Sequence, residues 1–243
     1  MKIHGTAEAG ALSKKDFGVA FNPSGGGFDP DSIDGLGAWY DASDSSTITE
    51  SSNRVSVWSD KKGSANLVQS TGGNQPLLVD GDQNDEDIIN FVGDRYMYTG
   101  GLTGISQPTT WYLALTGFAN SGTLKRPMFS GNQQVFTSNS TANQWKLYSP
   151  DEEPSFTEDI GTSFQIWRIV FNGSSSYWYV NGSAKMDGVN AGTGNAGGLA
   201  IGAANDGGAP SNNKFGEILR YDAVVSSDDN DLIMDYLNDK WGL

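Results

Sequence analysis

Strand-length apolar runs, broken every few residues by tight-turn dipeptides, occupy this chain from about residue 36 to residue 221. Arg54-Val55-Ser56-Val57-Trp58 alternates, with Val55 and Val57 expected on one face and Trp58 on the other. Similar runs fall at residues 36–40, 77–79, 88–92, 111–116, 128–129, 144–148, 165–171, 177–180, 199–201 and 215–221. Between them stand Asp60-Lys61-Lys62-Gly63, Gly100-Gly101, Asn120-Ser121-Gly122, Asn172-Gly173, Asn181-Gly182 and Asn205-Asp206-Gly207-Gly208. Many short strands at this spacing predict a single all-β unit of two packed sheets, and exclude a helical bundle. Composition agrees: the chain holds 32 glycines, and charged residues make up only 18%.

The clearest hairpin turns at Asn172-Gly173-Ser174-Ser175. Before it, Trp167, Ile169 and Phe171 share a face and Arg168 opposes them. After it, Trp178 and Val180 share one face, and Tyr177 and Tyr179 the other. Both faces are partly apolar, so one is expected to line a groove. Trp39, Trp58, Trp111, Trp167 and Trp178 are expected in the core. Helical spacing appears once, at the end. Ser226 or Ser227 caps a run in which Leu232, Ile233, Tyr236, Leu237 and Trp241 form a stripe, with Asp228 and Asp229 in the first turn and Gly242 as the stop. This helix is expected to cover the strands.

The net charge of −14 repels phosphate backbones and anionic bilayers, so nucleic acid and membrane are not expected partners. There is no cysteine, which removes disulfides and thiolate metal sites. No segment approaches the roughly 20 apolar residues of a membrane span. The opening residues lack the apolar run of a secretory signal. Export would then need another route, such as host lysis of a protein made in the cytoplasm.

Residues 1–22 differ in pattern from the rest of the chain. Lys14 and Lys15 precede Phe17, Val19 and Phe21 at period two, and 23–27 is a Gly/Ser linker. Three apolar side chains cannot form a core, but an extended segment can add to a partner's sheet edge. The expected organisation is an anchoring arm (1–22), a linker (23–27) and a β unit (28–243).

Ordered motifs carry a resemblance. Gly35-Leu36-Gly37-Ala38-Trp39-Tyr40-Asp41-Ala42-Ser43-Asp44 is similar to the opening strand of laminin-G-like domains of phage and bacterial surface proteins. Val57-Trp58-Ser59-Asp60-Lys61-Lys62-Gly63, Gln75-Pro76 and Asn90-Phe91-Val92-Gly93 come next, in that family's order. Tyr179-Val180-Asn181-Gly182, Leu199-Ala200-Ile201-Gly202, Phe215-Gly216-Glu217-Ile218 and the ending 236–242 complete the set. The resemblance covers residues 28–243 and implies a concanavalin A-like (LamG-like) jelly-roll sandwich with a C-terminal helix and an extended N-terminal arm. The arm itself resembles the N-termini of tailed-phage structural proteins. Together they imply a non-enzymatic virion surface protein, a capsid decoration or a tail or fibre component, displaying a jelly roll. Its partners would be other virion proteins held through the arm, glycans, and further copies of itself. A carbohydrate-binding adhesin not tied to a virion is the alternative, and a glycan-cleaving enzyme the third reading.

Catalytic constellations are sparse. Glycoside hydrolysis needs two carboxyls flanking the scissile bond. The Glu-x-Asp-x-x-Glu pattern of hydrolases on this fold is missing, and Asp151-Glu152-Glu153 sits in a Pro-interrupted loop. The lone His4 cannot build a triad in the arm. Gly192-x-Gly194-x-x-Gly197 has dinucleotide spacing but is followed by a strand, so it reads as a flexible glycine loop. Asp80-x-Asp82-x-Asn84 fails as an EF-hand, with Asp85 and Phe91 where Gly and Glu are required; residues 80–87 read as an acidic surface loop. No cofactor is expected. Calcium stays open at Asp41, Asp44 and Asp60, since sandwich lectins place calcium beside a binding loop. Sugar binding uses aromatic faces with amides or charges at the hydroxyls. Tyr148, Arg168, Tyr177 and Tyr179 are the candidates for it, lying opposite the core residues Trp145, Leu147, Trp178 and Val180.

Overall fold

The computed structural model describes residues 27–243, apart from 64, 103, 138, 139 and 151. The expected arm, with Lys14, Lys15, Phe17, Val19 and Phe21, and most of the linker lie outside the described residues. Among the described residues, seventeen strands precede one α-helix. They are β1 (Leu36–Asp41), β2 (Ile48–Ser51), β3 (Arg54–Trp58), β4 (Leu67–Val68), β5 (Leu77–Gln83), β6 (Glu86–Asn90), β7 (Met97–Thr99), β8 (Thr109–Thr116) and β9 (Met128–Ser130). Then come β10 (Gln133–Thr137), β11 (Gln144–Tyr148), β12 (Ser155–Thr157), β13 (Phe164–Phe171), β14 (Ser176–Val180), β15 (Ser183–Val189), β16 (Leu199–Ile201) and β17 (Lys214–Tyr221), and last α1 (Ser227–Trp241).

All these pairings are antiparallel. One run of neighbours is β1–β17–β8–β13–β14–β15. A second is β2–β3–β4–β7–β16–β9–β10–β11–β12. The β5–β6 hairpin links them: Leu77 pairs with Arg54 of β3, while Ile89 and Asn90 pair with Phe215 and Lys214 of β17. The strand network is therefore one large antiparallel system that nearly closes.

Period-two alternation sends one face of each run into a shared core. Trp58, Met128, Trp145 and Ile201 meet Trp111, Trp167, Trp178 and Ile218 there. The Trp145, Trp167 and Trp178 rings touch one another, with centroids 4.9–5.9 Å apart. A second cluster lies on the outer face of the first run, where Tyr112, Ile166, Leu219 and Tyr221 pack against Ile233, Leu237 and Trp241 of α1. The helix starts as expected, with Ser226 Oγ accepting from Asp229 N at 3.2 Å, and ends at Gly242 in the left-handed region (φ 67°).

Several local expectations change. Trp39 is only half-buried, while the other four tryptophans expected in the core are enclosed. Val57 faces outward, and Val55 and Trp58 both enter the core. The β2–β3 register shifts between Thr49 and Glu50, so one residue is bulged and the alternation breaks. Leu232 leaves the helical stripe and is exposed. Residues 80–87 are a hairpin rather than a loop. Asn84 and Asp85 both take positive φ (53° and 63°), which the right-handed strand twist favours in a two-residue turn. Its tip caps α1: Asn84 Nδ2 donates to Lys240 O at 2.9 Å and Gln83 Nε2 to Trp241 O at 2.6 Å.

Candidate functional site

The outward residues of the β13–β14 hairpin and one face of α1 enclose a groove of about 330 Å³. Alternation puts Trp167, Ile169, Trp178 and Val180 in the core and leaves Arg168, Tyr177 and Tyr179 on the outside. Register then assembles them, since Arg168 lies opposite Tyr179 on one side and Tyr112 on the other. The guanidinium sits 4.8 Å from the Tyr177 ring centre and 5.5 Å from that of Tyr179, and its Nη2 donates to Tyr177 Oη at 2.7 Å. No carboxylate among the described residues pairs with it. The two tyrosine rings meet edge to face at 5.5 Å. Tyr179 Oη donates to Asp187 Oδ2 at 3.1 Å. Burial, then that hydrogen bond, holds its phenol above the usual range.

The helix contributes Asn230, Asp231, Met234 and Asn238 to the groove, and the β14–β15 turn adds Asn181 and Gly182. Asn181 Oδ1 accepts from Ile166 N at 2.7 Å, which orients its amide and leaves the NH2 group available. Asn230 Oδ1 accepts from Tyr112 Oη at 3.1 Å. The groove thus combines aromatic surface, a guanidinium, amides and one carboxylate, Asp231. Such a set suits polyhydroxylated ligands.

The structure separates Tyr148 from its expected companions. Trp145 and Trp178 touch across the core, so the outward faces of β11 and β14 point to opposite sides of the molecule. Tyr148 lies beside Phe136, at 6.4 Å, and the Arg126 and Lys146 cations sit 5.7 and 5.8 Å from that same ring.

Asp41, Asp44 and Asp60 are engaged by the protein itself. Asp44 Oδ2 pairs with Lys61 Nζ at 2.8 Å and its Oδ1 accepts from Ser46 Oγ at 2.6 Å; these bonds hold its carboxyl below the usual range. Asp60 Oδ1 accepts from Trp39 N and Lys62 N, both at 2.9 Å. Asp41 pairs with Lys240 at 2.8 Å and Lys61 at 3.5 Å. Among the described residues, no group of three or more acidic or imidazole side chains is placed to hold a metal ion.

Sequence reasoning missed the centre of that network, Glu217. It is fully buried, and four donors converge on it: Trp39 Nε1 (2.7 Å) and Tyr236 Oη (2.8 Å) on Oε1, Lys240 Nζ (3.0 Å) and Trp241 Nε1 (3.2 Å) on Oε2. Burial pushes the Glu217 carboxyl upward against the pull of Lys240. Burial lowers the Lys240 ammonium, but Glu217 and Asp41 more than offset this and raise it. The available signal was one carboxylate inside the mostly apolar strand pattern at 215–221. Every bond is satisfied, so the cluster ties α1 to β1 and β17.

No family model matches the sequence, and no curated protein matches it. Solved structures do. A Trypanosoma rangeli sialidase in complex with the inhibitor DANA aligns at TM-score 0.58 and 12% identity, over 83% of this chain and 33% of the sialidase. An arabinofuranosidase complexed with arabinofuranosyl-α-1,2-xylobiose aligns at TM-score 0.55 and 12% identity, over 76% of this chain and 50% of the enzyme. Domain 4 of AbnA, a GH43 extracellular arabinanase from Geobacillus stearothermophilus, in complex with arabinotriose, aligns at TM-score 0.56 and 12% identity. That match covers 85% of this chain and 98% of the domain. The chain thus spans a third of the sialidase and half of the arabinofuranosidase, and at these identities the likeness is one of fold. It overturns the expected virion surface protein: the neighbours are carbohydrate-active enzymes or a domain of one, and nothing in them links the chain to a capsid, tail or fibre.

Proposed function

We propose that this chain is a glycan-binding module built on a concanavalin A-like jelly-roll sandwich, and that it holds sugar without cleaving it. The observation that carries the reading is the near-complete coverage of a single arabinanase domain that itself holds arabinotriose. The groove between β13–β14 and α1 supports it, with Tyr179 offering a ring face and Arg168, Asn181 and Asn238 polar contacts. A non-catalytic role is supported by the carboxylates. The groove lining includes one, Asp231, whereas the common two-carboxylate route to hydrolysis needs two set across the bond. The buried pair Glu217 and Asp41 shares the Lys240 ammonium and serves packing.

The test is calorimetric titration with arabinotriose and a sialoside, paired with reducing-sugar release from the same oligosaccharides. Binding of at least one at sub-millimolar to millimolar Kd is expected, weakened about tenfold or more by Tyr179→Ala or Arg168→Ala, with no product released. Turnover above a no-protein control would refute the non-catalytic reading. Equal affinity in both variants would remove the groove from the function.

A further inference from the structure

A second cavity, of about 520 Å³, lies at the far end of the same hairpin, where three loops meet. They are the approach to β8, the β13–β14 turn and the glycine loop between β15 and β16. Uncharged polar side chains line it: Ser106, Asn172, Ser174, Thr193 and Asn195. None of the five makes a side-chain hydrogen bond to another described residue. Asn172, which precedes the short turn at Gly173–Ser175, does not even cap it.

Beneath this rim the polar groups are spent entirely on holding the loops. Gln107 Oε1 accepts from Gly173 N at 2.7 Å, while its Nε2 reaches Gly192 O, Gly194 O and Ser149 Oγ at 3.0–3.1 Å. Ser149 Oγ in turn accepts from Gly194 N at 2.5 Å. Gln133 Nε2 donates to Gly194 O at 3.3 Å, and its Oε1 accepts from Thr109 Oγ1 and Trp111 Nε1. Thr109, Gln133 and Ser149 are fully buried. The glycine loop is thus pinned rather than flexible. Its glycines are demanded by close approach, since a Cβ on Gly194 would stand 2.2 Å from Pro150 Cδ and one on Gly192 2.5 Å from Pro150 O. A fully satisfied buried network fixes one geometry. Here that geometry presents hydroxyls and amides that have no internal use.

We infer that this loop cavity is a second ligand site, separate from the groove, for a neutral oligosaccharide. Sugar hydroxyls both donate and accept, which matches hydroxyl and carboxamide partners on a pre-organised rim. Among the described residues no charge lines the cavity, so uronates and sialosides gain nothing from them.

The full chain, isotope-labelled, is titrated with arabinotriose, xylotriose, cellotriose and maltotriose while side-chain amide resonances are followed. At least one neutral trisaccharide shifts the Asn172 and Asn195 NH2 signals with Kd at or below about 10 mM, unchanged in high salt. Asn172→Ala and Asn195→Ala each weaken that binding several-fold without changing the thermal transition, and Arg168→Ala leaves it intact. If either alanine variant melts early, Ser174→Trp, which fills the cavity from an exposed position, is the control and abolishes the shifts. The inference is overturned if none of the four sugars moves these signals, or if Arg168→Ala abolishes the shifts. Failure of the groove to bind sugar would remove the groove from the proposed function and leave this site standing.

Discussion

Replacing Lys240 with Met removes the one cation shared by two buried carboxylates while keeping the aliphatic stem. Lys240 Nζ lies 2.8 Å from Asp41 Oδ1 and 3.0 Å from Glu217 Oε2, with only 14% of its side chain exposed. At an effective dielectric near 20, charges about 3 Å apart attract by roughly 5–6 kcal/mol each. Much of that is offset by the cost of desolvating the ammonium, which Met does not bear. Asp41 keeps Lys61 at 3.5 Å and the Ser43 amide, and Glu217 keeps three neutral donors. The net loss expected from stranding a buried carboxylate is about 3–5 kcal/mol. For a unit of this size that lowers Tm by about 6–20 °C. Chemical denaturation across pH reads the mechanism. The folded-state pKa of Glu217 is already raised by burial, and losing Lys240 raises it further. A group raised in the folded state contributes most below its unfolded value, about 4.3 for Glu, and loses that contribution as pH rises through the folded value. The deficit of Lys240→Met is therefore small near pH 3–4 and grows toward neutrality. Adding Glu217→Gln recovers most of it at pH 7. A loss under about 1 kcal/mol, or a deficit that is flat with pH and untouched by Glu217→Gln, would refute the account of this cluster.

Packing and the two sites lead to three more expected outcomes. Trp178→Ala empties the meeting point of Trp145, Trp167 and Phe156 and costs about 3–5 kcal/mol by urea unfolding; a loss below about 1 kcal/mol would show that the aromatic cluster is not central. Gly216→Ala places a Cβ 2.5–2.7 Å from three atoms of the enclosed Trp241 ring and costs about 1–3 kcal/mol; an unchanged melting curve would mean that α1 rides loosely on the strands. Double substitution of Arg168 and Asn172 by Ala weakens oligosaccharide binding at both cavities, about tenfold at the groove and several-fold at the loop cavity, while the thermal transition stays in place; unchanged calorimetric binding would place the sugar elsewhere.

Much of the architecture was legible in period and punctuation. The runs at 54–58, 144–148 and 199–201 are strands at their expected bounds, and Ser226 and Gly242 bracket the helix, because alternation, capping and turn chemistry are local. Strands β2, β4, β7, β10, β12 and β15 were not legible: they are short, edge-like or polar, and pairing rather than composition makes them strands. Asn84 and Asp85 looked like part of a charged loop because nothing nearby revealed that the hairpin tip would cap α1, more than 150 residues later.

The candidate sites divide along the same line. Alternation by itself determined that Arg168, Tyr177 and Tyr179 leave the core together, since neighbouring strands of one hairpin share their inside and outside. It could not tell that Tyr148, equally outward on β11, belongs to the opposite surface, because which strands pair and which merely face each other is decided by long-range contacts such as Trp145 on Trp178. The acidic residues Asp41, Asp44 and Asp60 looked like a cation site in one dimension. Only the tertiary structure brought Lys61 and Lys240 onto Asp41 and set Asp60 on backbone amides, because Lys240 reaches Asp41 across 199 residues of chain. Glu217 and the glycine loop obey the same rule. A buried carboxylate and a row of close-packed glycines are intelligible once the donors that surround them are known, and those donors come from elements distant in sequence.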